Sequence, residues 1–353
     1  MKDLSDYVCE EYVRPFWKGD TVLAESVFVQ ENALGELRPL RLAFPVRKIL
    51  SVRSPDLRTA YRENRDYRVN EYGELEILRE GKIPRLLWKD YRLPAFDAAR
   101  DDQMASADAL GAWRTGDLFA DREGMRAWQL AVSYTHAESG IYDITQGKSE
   151  KFPRLLGLLR EKQPVTVVSY GDSITYGWAA SGMQDIRKPP HCRPYAQMIV
   201  DALAEKYGAP VGHVNCSVSG KCTDWAELDE NVAGVIGARP DLVVLAFGMN
   251  DAGVFRPEVF AEKLRGIMRK IRNACPHTEF LLISPILPNP LVAFTAGSSI
   301  RRYHREYPRA LLAVERETEG AACANVTAVH ELLLERKSLQ DTLSNNVNHP
   351  NDF

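Results

Sequence analysis

The sequence predicts an α/β protein in which an antiparallel, jelly-roll-like β-sandwich precedes a doubly wound parallel sheet. The first 150 residues contain several short strand-like runs separated by turn residues, with no helical pattern between them, as in sandwich proteins. From about residue 165, short apolar runs alternate with amphipathic helical patterns, and such βα repeats form parallel sheets covered by helices on both faces. We therefore expect an accessory β domain over residues 1–150 and an α/β domain over residues 151–353.

The predicted strands of the first part are rich in β-branched and aromatic residues between Gly, Pro and Asn turns. The clearest run alternates apolar and polar residues from Trp128 to Tyr134. Residues 98–126 are more polar, and the sequence leaves a long loop and a short helix equally open there. The other predicted strands are Thr21–Val29, Leu40–Phe44, Ile49–Arg53, Asp66–Val69 and Leu75–Leu78.

The second part is predicted from alternating buried strands and helices. Short apolar runs predict strands at 165–168, 213–218, 242–247 and 280–284. Apolar residues that recur three, four, seven and eight positions apart predict one face of a helix. This pattern occurs over Tyr195–Leu203, Trp225–Ile236 and Phe260–Ile271.

Composition and charge exclude several classes of protein. A length of 353 residues suits two domains of about 150 residues, or one large domain with an insertion. The net charge of −3 gives no reason to expect a nucleic acid or an anionic membrane as partner. No apolar run approaches the ~18 residues of a membrane span, and the N-terminus does not have the pattern of a secretion signal. The six cysteines are irregularly spaced without a CxxC pair, so we expect reduced thiols in a cytoplasmic protein without structural zinc.

Four polar segments either follow predicted strands or lie near the chain end. Ligands of open α/β sheets bind at the carboxyl ends of the strands, so we expect these segments to share one rim. Together they supply a hydroxyl, a small residue with an accessible backbone amide, a carboxamide and an imidazole, which are the groups that acyl transfer needs. The segments are Gly171–Thr175, Ser219–Gly220, Gly248–Asp251 and Asn346–Pro350.

Each of these groups has an expected role. Ser173 is the candidate nucleophile, and His349 is the candidate base because imidazole titrates near neutral pH. The backbone amides of Ser173 and Gly220 and the side-chain amide of Asn250 are candidate oxyanion donors, each contributing about 10²–10³ in rate. The GxSxG elbow of α/β-hydrolases is absent, since Thr175 stands where its second Gly would be. A plain helix-capping role is the alternative for Asn250.

Taken together, the four polar segments resemble those of a known family. The segments GDSIT, SG, GMND and HPN are similar to the ordered blocks of SGNH (GDSL-type) hydrolases, over about residues 160–353. The resemblance implies that Ser173 is the nucleophile, that Gly220 and Asn250 complete the oxyanion hole, and that His349 is the base. The β part before it resembles, by architecture, the jelly roll of carbohydrate acetylesterases of carbohydrate esterase family two.

Two departures from the family pattern stand out. The family usually has Asp three residues before the His, whereas Asn346 occupies that position here. The sequence leaves three alternatives for the group that contacts His349 Nδ1: the carboxylate of Asp341, the carboxylate of Asp352, or a main-chain carbonyl near Asn346. We favour the carbonyl, which the resemblance to carbohydrate esterase family two also implies. The family also implies a further helix after the HPN block, but the sequence stops at Phe353, so we expect a fragment or an incomplete sequence.

The function that these residues predict is ester hydrolysis. The first hypothesis is removal of small acyl groups, most simply acetyl, from a carbohydrate through an acyl-enzyme, with no cofactor and no metal. The alternatives are an esterase for short-chain lipids or thioesters, and a catalytically silent carbohydrate-binding protein. The expected partner is a small-molecule or oligosaccharide ester; the oligomeric state stays open, with a homo-oligomer among the states allowed.

Overall fold

The structure is a computed structural model that describes residues 12–97, 99–107, 113–119, 124–138, 140–142, 144, 147–183, 188–293 and 303–353. The N-terminal part contains strands β1 (Thr21–Phe28), β2 (Lys48–Arg53), β3 (Tyr67–Val69), β4 (Leu75–Ile77), β5 (Arg92–Leu93), β6 (Gln103–Ala107), β7 (Trp113–Leu118) and β8 (Gln129–Thr135), with a short helix α1 (Trp88–Tyr91). Strand β8 lies between β1 and β2, and β3 pairs with β4, all antiparallel. The antiparallel architecture is therefore as predicted, whereas the jelly-roll arrangement stays a prediction. Within residues 98–126, where the sequence left a long loop and a short helix open, the described residues instead include the paired strands β6 and β7.

The predicted strand Leu40–Phe44 is wrong. Leu40 makes only an isolated bridge to Leu75. The last two backbone amides of the segment bond to distant side chains, since Ala43 N–H donates to Glu25 and Phe44 N–H donates to the hydroxyl of Tyr134. A segment whose amides are bonded to side chains has no need of a neighbouring strand, and nothing local in the sequence indicates this.

The C-terminal part alternates strands and helices around one parallel sheet. Its strands are β9 (Val165–Gly171), β10 (Val211–Asn215), β11 (Leu242–Ala246), β12 (Glu279–Ile283), β13 (Val292–Ala293) and β14 (Ala321–Ala324). Its helices are α2 (Pro153–Arg160), α3 (Ser173–Tyr176), α4 (Tyr195–Tyr207), α5 (Thr223–Ala226), α6 (Asp229–Gly237), α7 (Pro257–Ala274), α8 (Tyr307–Glu317), α9 (Val326–Leu334) and α10 (Leu339–Thr342). The sheet order is β10-β9-β11-β12-β14, and every pair in it is parallel.

This strand order creates a crevice where the candidate residues lie. The chain moves from β9 outward to β10 and then returns to the other side of β9 as β11, so the order reverses at β9. Open α/β sheets bind ligands at such a switch point, at the carboxyl ends of the strands. The segments that contain Ser173, Gly220 and Asn250 all follow these three strands.

Helix packing largely follows the predicted apolar faces. Along α7, the side chains of Phe260, Leu264, Ile267 and Ile271 are at most 1% exposed and pack in the main core of the sheet. The single helix predicted over Trp225–Ile236 is instead two helices, α5 and α6. Leu228 separates them with an extended backbone and a side chain that is 47% exposed, so this apolar residue is not part of the buried face.

The two parts of the chain are closely joined. Strand β13 pairs with β6 of the N-terminal part, and Val292 and Val347 pack against Met104. The Gln129 side chain donates to the carbonyls of Gln340 and Leu343, just before the last segment. The division at residue 150 stays a prediction, and the described residues on its two sides share a sheet and an apolar cluster.

Candidate active site

Ser173 is the first residue of helix α3, directly after the central strand β9. Asp172 caps this helix by accepting the N–H of Ile174 at 2.9 Å. Glycine is required just before it, because a Cβ on Gly171 would lie 2.4 Å from the Ala246 carbonyl of the neighbouring strand β11. The turn thus holds the Ser173 hydroxyl at the end of the strand, where it is only 6% exposed.

His349 lies beside the nucleophile although the two are far apart in sequence. Its Nε2 is 2.9 Å from Ser173 Oγ, which is the distance that proton transfer from a serine hydroxyl requires. The His349 side chain is 9% exposed, so the pair is nearly closed to bulk water. The structure therefore brings together the predicted nucleophile and the predicted base.

The two predicted oxyanion residues lie on adjoining segments. Asn250 Nδ2 donates to the carbonyl of Lys221 at 3.1 Å, so one amide hydrogen holds the segment that contains Gly220 and the other remains for substrate. Gly220 has a φ of +73°, and a Cβ placed on it would meet no other atom within 4 Å, which leaves its backbone open to an approaching ligand. Asn250 makes no side-chain cap to the following 3₁₀ turn, which argues against the capping alternative.

Two buried carboxylates lie behind these segments and connect them. Asp172 also accepts the backbone N–H of Met249, and Asp251 accepts both the N–H and the hydroxyl of Thr223, at 2.7 and 2.5 Å. Burial raises the pKa of Asp172 to about 7 and the pKa of Asp251 to about 6, against the lowering effect of these hydrogen bonds. The nucleophile turn and the segments of Asn250 and Gly220 are therefore held by shared buried acceptors.

The carboxylates considered for the Nδ1 side of His349 are engaged elsewhere. Asp341 accepts the N–H of Phe28 at 2.6 Å through Oδ1 and closes a capping box with Ser338 through Oδ2. Asp352 accepts the N–H of Ser181 and pairs with Arg126 at 3.0 Å. Both carboxyl groups thus make other contacts, and the acid that serves His349 stays a prediction.

The Asn346 side chain also points away from the base. It reaches the carbonyl of Leu118 at 3.1 Å and the hydroxyl of Tyr91 at 3.3 Å, both in the N-terminal part. Its main-chain carbonyl accepts Asn289 Nδ2 at 3.0 Å. A main-chain carbonyl as the Nδ1 partner stays a prediction.

Sequence reasoning missed Asn345. Its Nδ2 lies 3.1 Å from His349 Nδ1, on the side of the ring opposite Ser173. The only signal was its position four residues before the base, next to the asparagine that replaces the family's usual Asp.

Two neighbouring cavities open near the site. One, of about 250 Å³, is lined by His349, Ile174, Tyr195 and Arg193. The other, of about 390 Å³, lies between the two parts of the chain, and both are bordered by Asn351, Asp352 and Phe353. Among the described residues, no three or more His, Cys, Asp or Glu side chains are grouped to hold a metal ion, and no described helix is long and apolar enough to cross a membrane.

Comparison with known proteins gives one family match. Residues 169–353, just over half of the chain, match the sequence model of the GDSL-like lipase/acylhydrolase family. No curated protein matches the chain.

Several solved structures resemble parts of the chain. A two-domain esterase active on acetylated mannans matches at 17% identity with a TM-score of 0.44, over 59% of this chain and 51% of its own. The chain thus spans about half the length of that esterase. A GDSL-like lipase from Parabacteroides merdae matches at 17% identity with a TM-score of 0.42, over 53% of this chain and 88% of its own. An acetylxylan esterase from Geobacillus stearothermophilus matches at 18% identity with a TM-score of 0.39, over 53% of this chain and 87% of its own.

Proposed function

The chain belongs to the GDSL-like lipase/acylhydrolase family, and we propose that it is a carboxylic ester hydrolase that removes acetyl groups from a carbohydrate through an acyl-enzyme on Ser173. The observation that carries the proposal is the 2.9 Å contact between Ser173 Oγ and His349 Nε2. A serine hydroxyl becomes an effective nucleophile only when a base at this distance accepts its proton.

The reaction proceeds in two halves on these residues. Ser173 Oγ attacks the ester carbonyl as its proton moves to His349 Nε2, and the resulting oxyanion accepts hydrogen bonds from the amides of Ser173 and Gly220 and from Asn250 Nδ2. The carbonyl re-forms, the C–O bond to the sugar breaks, and His349 returns the proton to the departing sugar oxygen. Water then gives a proton to His349 and attacks the acyl-enzyme. The bond between the acyl carbon and Ser173 Oγ breaks, His349 returns its proton to Ser173 Oγ, and acetic acid leaves and ionises to acetate.

Burial of the reacting pair supports a small acyl group. Ser173 and His349 are 6% and 9% exposed, and the cavity that His349 lines, of about 250 Å³, is smaller than the roughly 300–1,000 Å³ of most ligand pockets. An acetyl group needs little of this space, whereas a long acyl chain needs a deep apolar channel.

The second cavity supports a carbohydrate as the rest of the substrate. Its lining combines the aromatic rings of Phe16, Trp17 and Phe353 with the polar side chains of Arg126 and Asn351. Aromatic surfaces beside a few directed polar groups suit a ligand that has both C–H faces and hydroxyl groups. The sugar part of the proposed substrate is therefore assigned to this cavity.

The experiment is an acyl-length series with Ser173→Ala as control. We expect hydrolysis of p-nitrophenyl acetate to exceed that of the butyrate and octanoate esters, and we expect acetate release from acetylated xylo-oligosaccharides. A preference for octanoate or for acetyl-coenzyme A would support the lipid or thioester alternative instead. Absence of any Ser173-dependent hydrolysis would support the silent carbohydrate-binding alternative.

A further inference from the structure

We propose that the imidazole of His304 positions the oxyanion donor Asn250, by holding the peptide group that joins Met249 to Asn250. This inference rests on the proposed function and adds to it a positioning residue that acts through Asn250. His304 lies three residues before helix α8, far in sequence from the segment that it contacts, and its side chain is 2% exposed.

The contact is one hydrogen bond with a defined direction. His304 Nε2 lies 2.9 Å from the carbonyl oxygen of Met249, and a carbonyl can only accept, so Nε2 carries the hydrogen. Burial lowers the pKa of His304 to about 4, so near neutral pH the ring is uncharged and has this single N–H. Nδ1 is buried and has no hydrogen-bond partner among the described residues, so the only polar contact of the ring there is the one to Met249.

This bond holds the peptide group next to the oxyanion donor. The carbonyl of Met249 and the backbone nitrogen of Asn250 belong to one planar peptide, so the direction of the carbonyl sets where the Asn250 backbone begins. On the other side of Met249, its N–H donates to the buried carboxylate of Asp172. Met249 is therefore held at both of its backbone polar groups, and rotation of the peptide that leads into Asn250 is opposed by His304.

Two further hydrogen bonds attach the same stretch of chain to the residues after the oxyanion donor. The N–H of Tyr303 donates to the carbonyl of Ala252 at 3.2 Å, and the hydroxyl of Tyr307 donates to the carbonyl of Phe255 at 2.8 Å. These two contacts lie beyond the donor, whereas the contact of His304 lies on the peptide of the donor itself. Of the three, the bond from His304 therefore has the most direct effect on where the donor points.

Loss of the His304 donor should displace the side chain of Asn250 without removing it. Met249 is 1% exposed, so its carbonyl would be left buried without a partner and would gain from turning toward another one. An oxyanion donor is effective only within about 2.7–3.1 Å of the oxyanion, and a displacement of about 1 Å costs up to ~10² in rate. Glutamine preserves the contact, because its Nε2 is the same number of bonds from the backbone as Nε2 of histidine and also donates.

The test measures kcat and KM on p-nitrophenyl acetate for His304→Leu, His304→Phe and His304→Gln. We expect the first two to lower kcat about tenfold with KM within about twofold, because a misplaced oxyanion donor acts mainly on the transition state. His304→Gln should keep kcat within about threefold of wild type, because it retains the donor. The matched control is His136→Leu, since His136 is 1% exposed and stacks on Phe44 in the N-terminal part; we expect a lower Tm and unchanged kcat.

A double-mutant cycle with Asn250→Ala separates positioning from general support of the fold. If His304 acts through Asn250, then His304→Leu in the Asn250→Ala background should lower kcat less than about twofold further, since the group that it positions is already absent. A residue that only supports the site as a whole would lower kcat by the same factor in both backgrounds.

The inference is overturned by wild-type kcat in His304→Leu, or by a loss in His304→Gln equal to the loss in His304→Leu, because the donor would then not matter. Equal losses in the two backgrounds of the cycle would also overturn it. If His304→Leu does not fold, His304→Phe takes its place, and failure of both to fold would restrict the contact to a structural role. These results leave the proposed function intact as long as hydrolysis still depends on Ser173, which the Ser173→Ala control reports separately.

Discussion

Lys337 Nζ donates to the Glu25 carboxylate, and the two side chains join the segment before His349 to strand β1 with no exposed surface on either. The pair is well satisfied, because Lys337 also donates to the Ser26 carbonyl at 2.8 Å and Glu25 also accepts the Tyr134 hydroxyl at 2.7 Å. The N-terminal part thus supports the loop that carries the base, in addition to bordering the cavity between the two parts.

Lys337→Met should destabilise the protein strongly, because it leaves the Glu25 carboxylate buried without its cation. Breaking one partner of a buried ion pair costs about 3–5 kcal/mol, measured here as the free energy of unfolding in urea. Lys270→Met is the matched control, since the pair of Lys270 with Asp229 is exposed and should contribute less than about 1 kcal/mol. Equal losses in the two variants would contradict a supporting role for the buried pair.

Asp341→Asn should affect stability more than catalysis. Its carboxylate caps helix α10 and holds Phe28 of β1, and it does not contact His349. We expect a lower Tm and less than about a tenfold loss in kcat, whereas loss of a true triad acid costs about 10⁴. A thousandfold loss in kcat at unchanged Tm would make Asp341 the acid after all.

Asn250→Ala should lower kcat about 10²-fold with KM nearly unchanged, because an oxyanion donor acts mainly on the transition state. The substitution also removes the hydrogen bond from Asn250 Nδ2 to the carbonyl of Lys221, next to Gly220, so we expect a slightly lower Tm. Steady-state kinetics on p-nitrophenyl acetate check the prediction. A change confined to KM would mean that Asn250 binds the ground state of the substrate.

Asp172→Asn should change how stability depends on pH. Burial raises the pKa of Asp172 to about 7 in the folded protein from an ordinary value of 3.8, so the folded state favours the protonated carboxyl. Its contribution to stability is therefore complete below about pH 4 and is lost as the pH rises through 7. Asn is neutral throughout and also caps helices well, so Tm of the variant relative to wild type should rise between pH 4 and pH 8.

The comparison between variant and wild type isolates this group. His304 and His330 are also buried, and burial lowers the pKa of each to about 4, which makes stability fall as the pH drops. That effect has the opposite sign but is common to both proteins, so it cancels in the difference. A difference in Tm that stays constant across the range would show that Asp172 does not titrate in this window.

Much of the parallel sheet could be predicted from the sequence, because each buried strand is a short apolar run that can be recognised locally. The polar segments that follow these strands could then be placed together, because the carboxyl ends of parallel strands lie at one edge of the sheet. Leu40–Phe44 could not be predicted, because its amides are satisfied by Glu25 and Tyr134, far away in the chain. Asn345 was missed for a related reason. The choice between it and Asn346 depends on one left-handed backbone angle, which the residue types alone do not determine.

Active-site labelling tests most directly whether Ser173 is the nucleophile that His349 activates. Diethyl p-nitrophenyl phosphate phosphorylates an activated serine and leaves a stable adduct that peptide mass spectrometry locates. We predict one label per chain, on the peptide containing Ser173, with loss of esterase activity in proportion to labelling and no labelling in Ser173→Ala or His349→Gln. Labelling of another residue that tracks inactivation, or full activity in Ser173→Ala, would contradict the account.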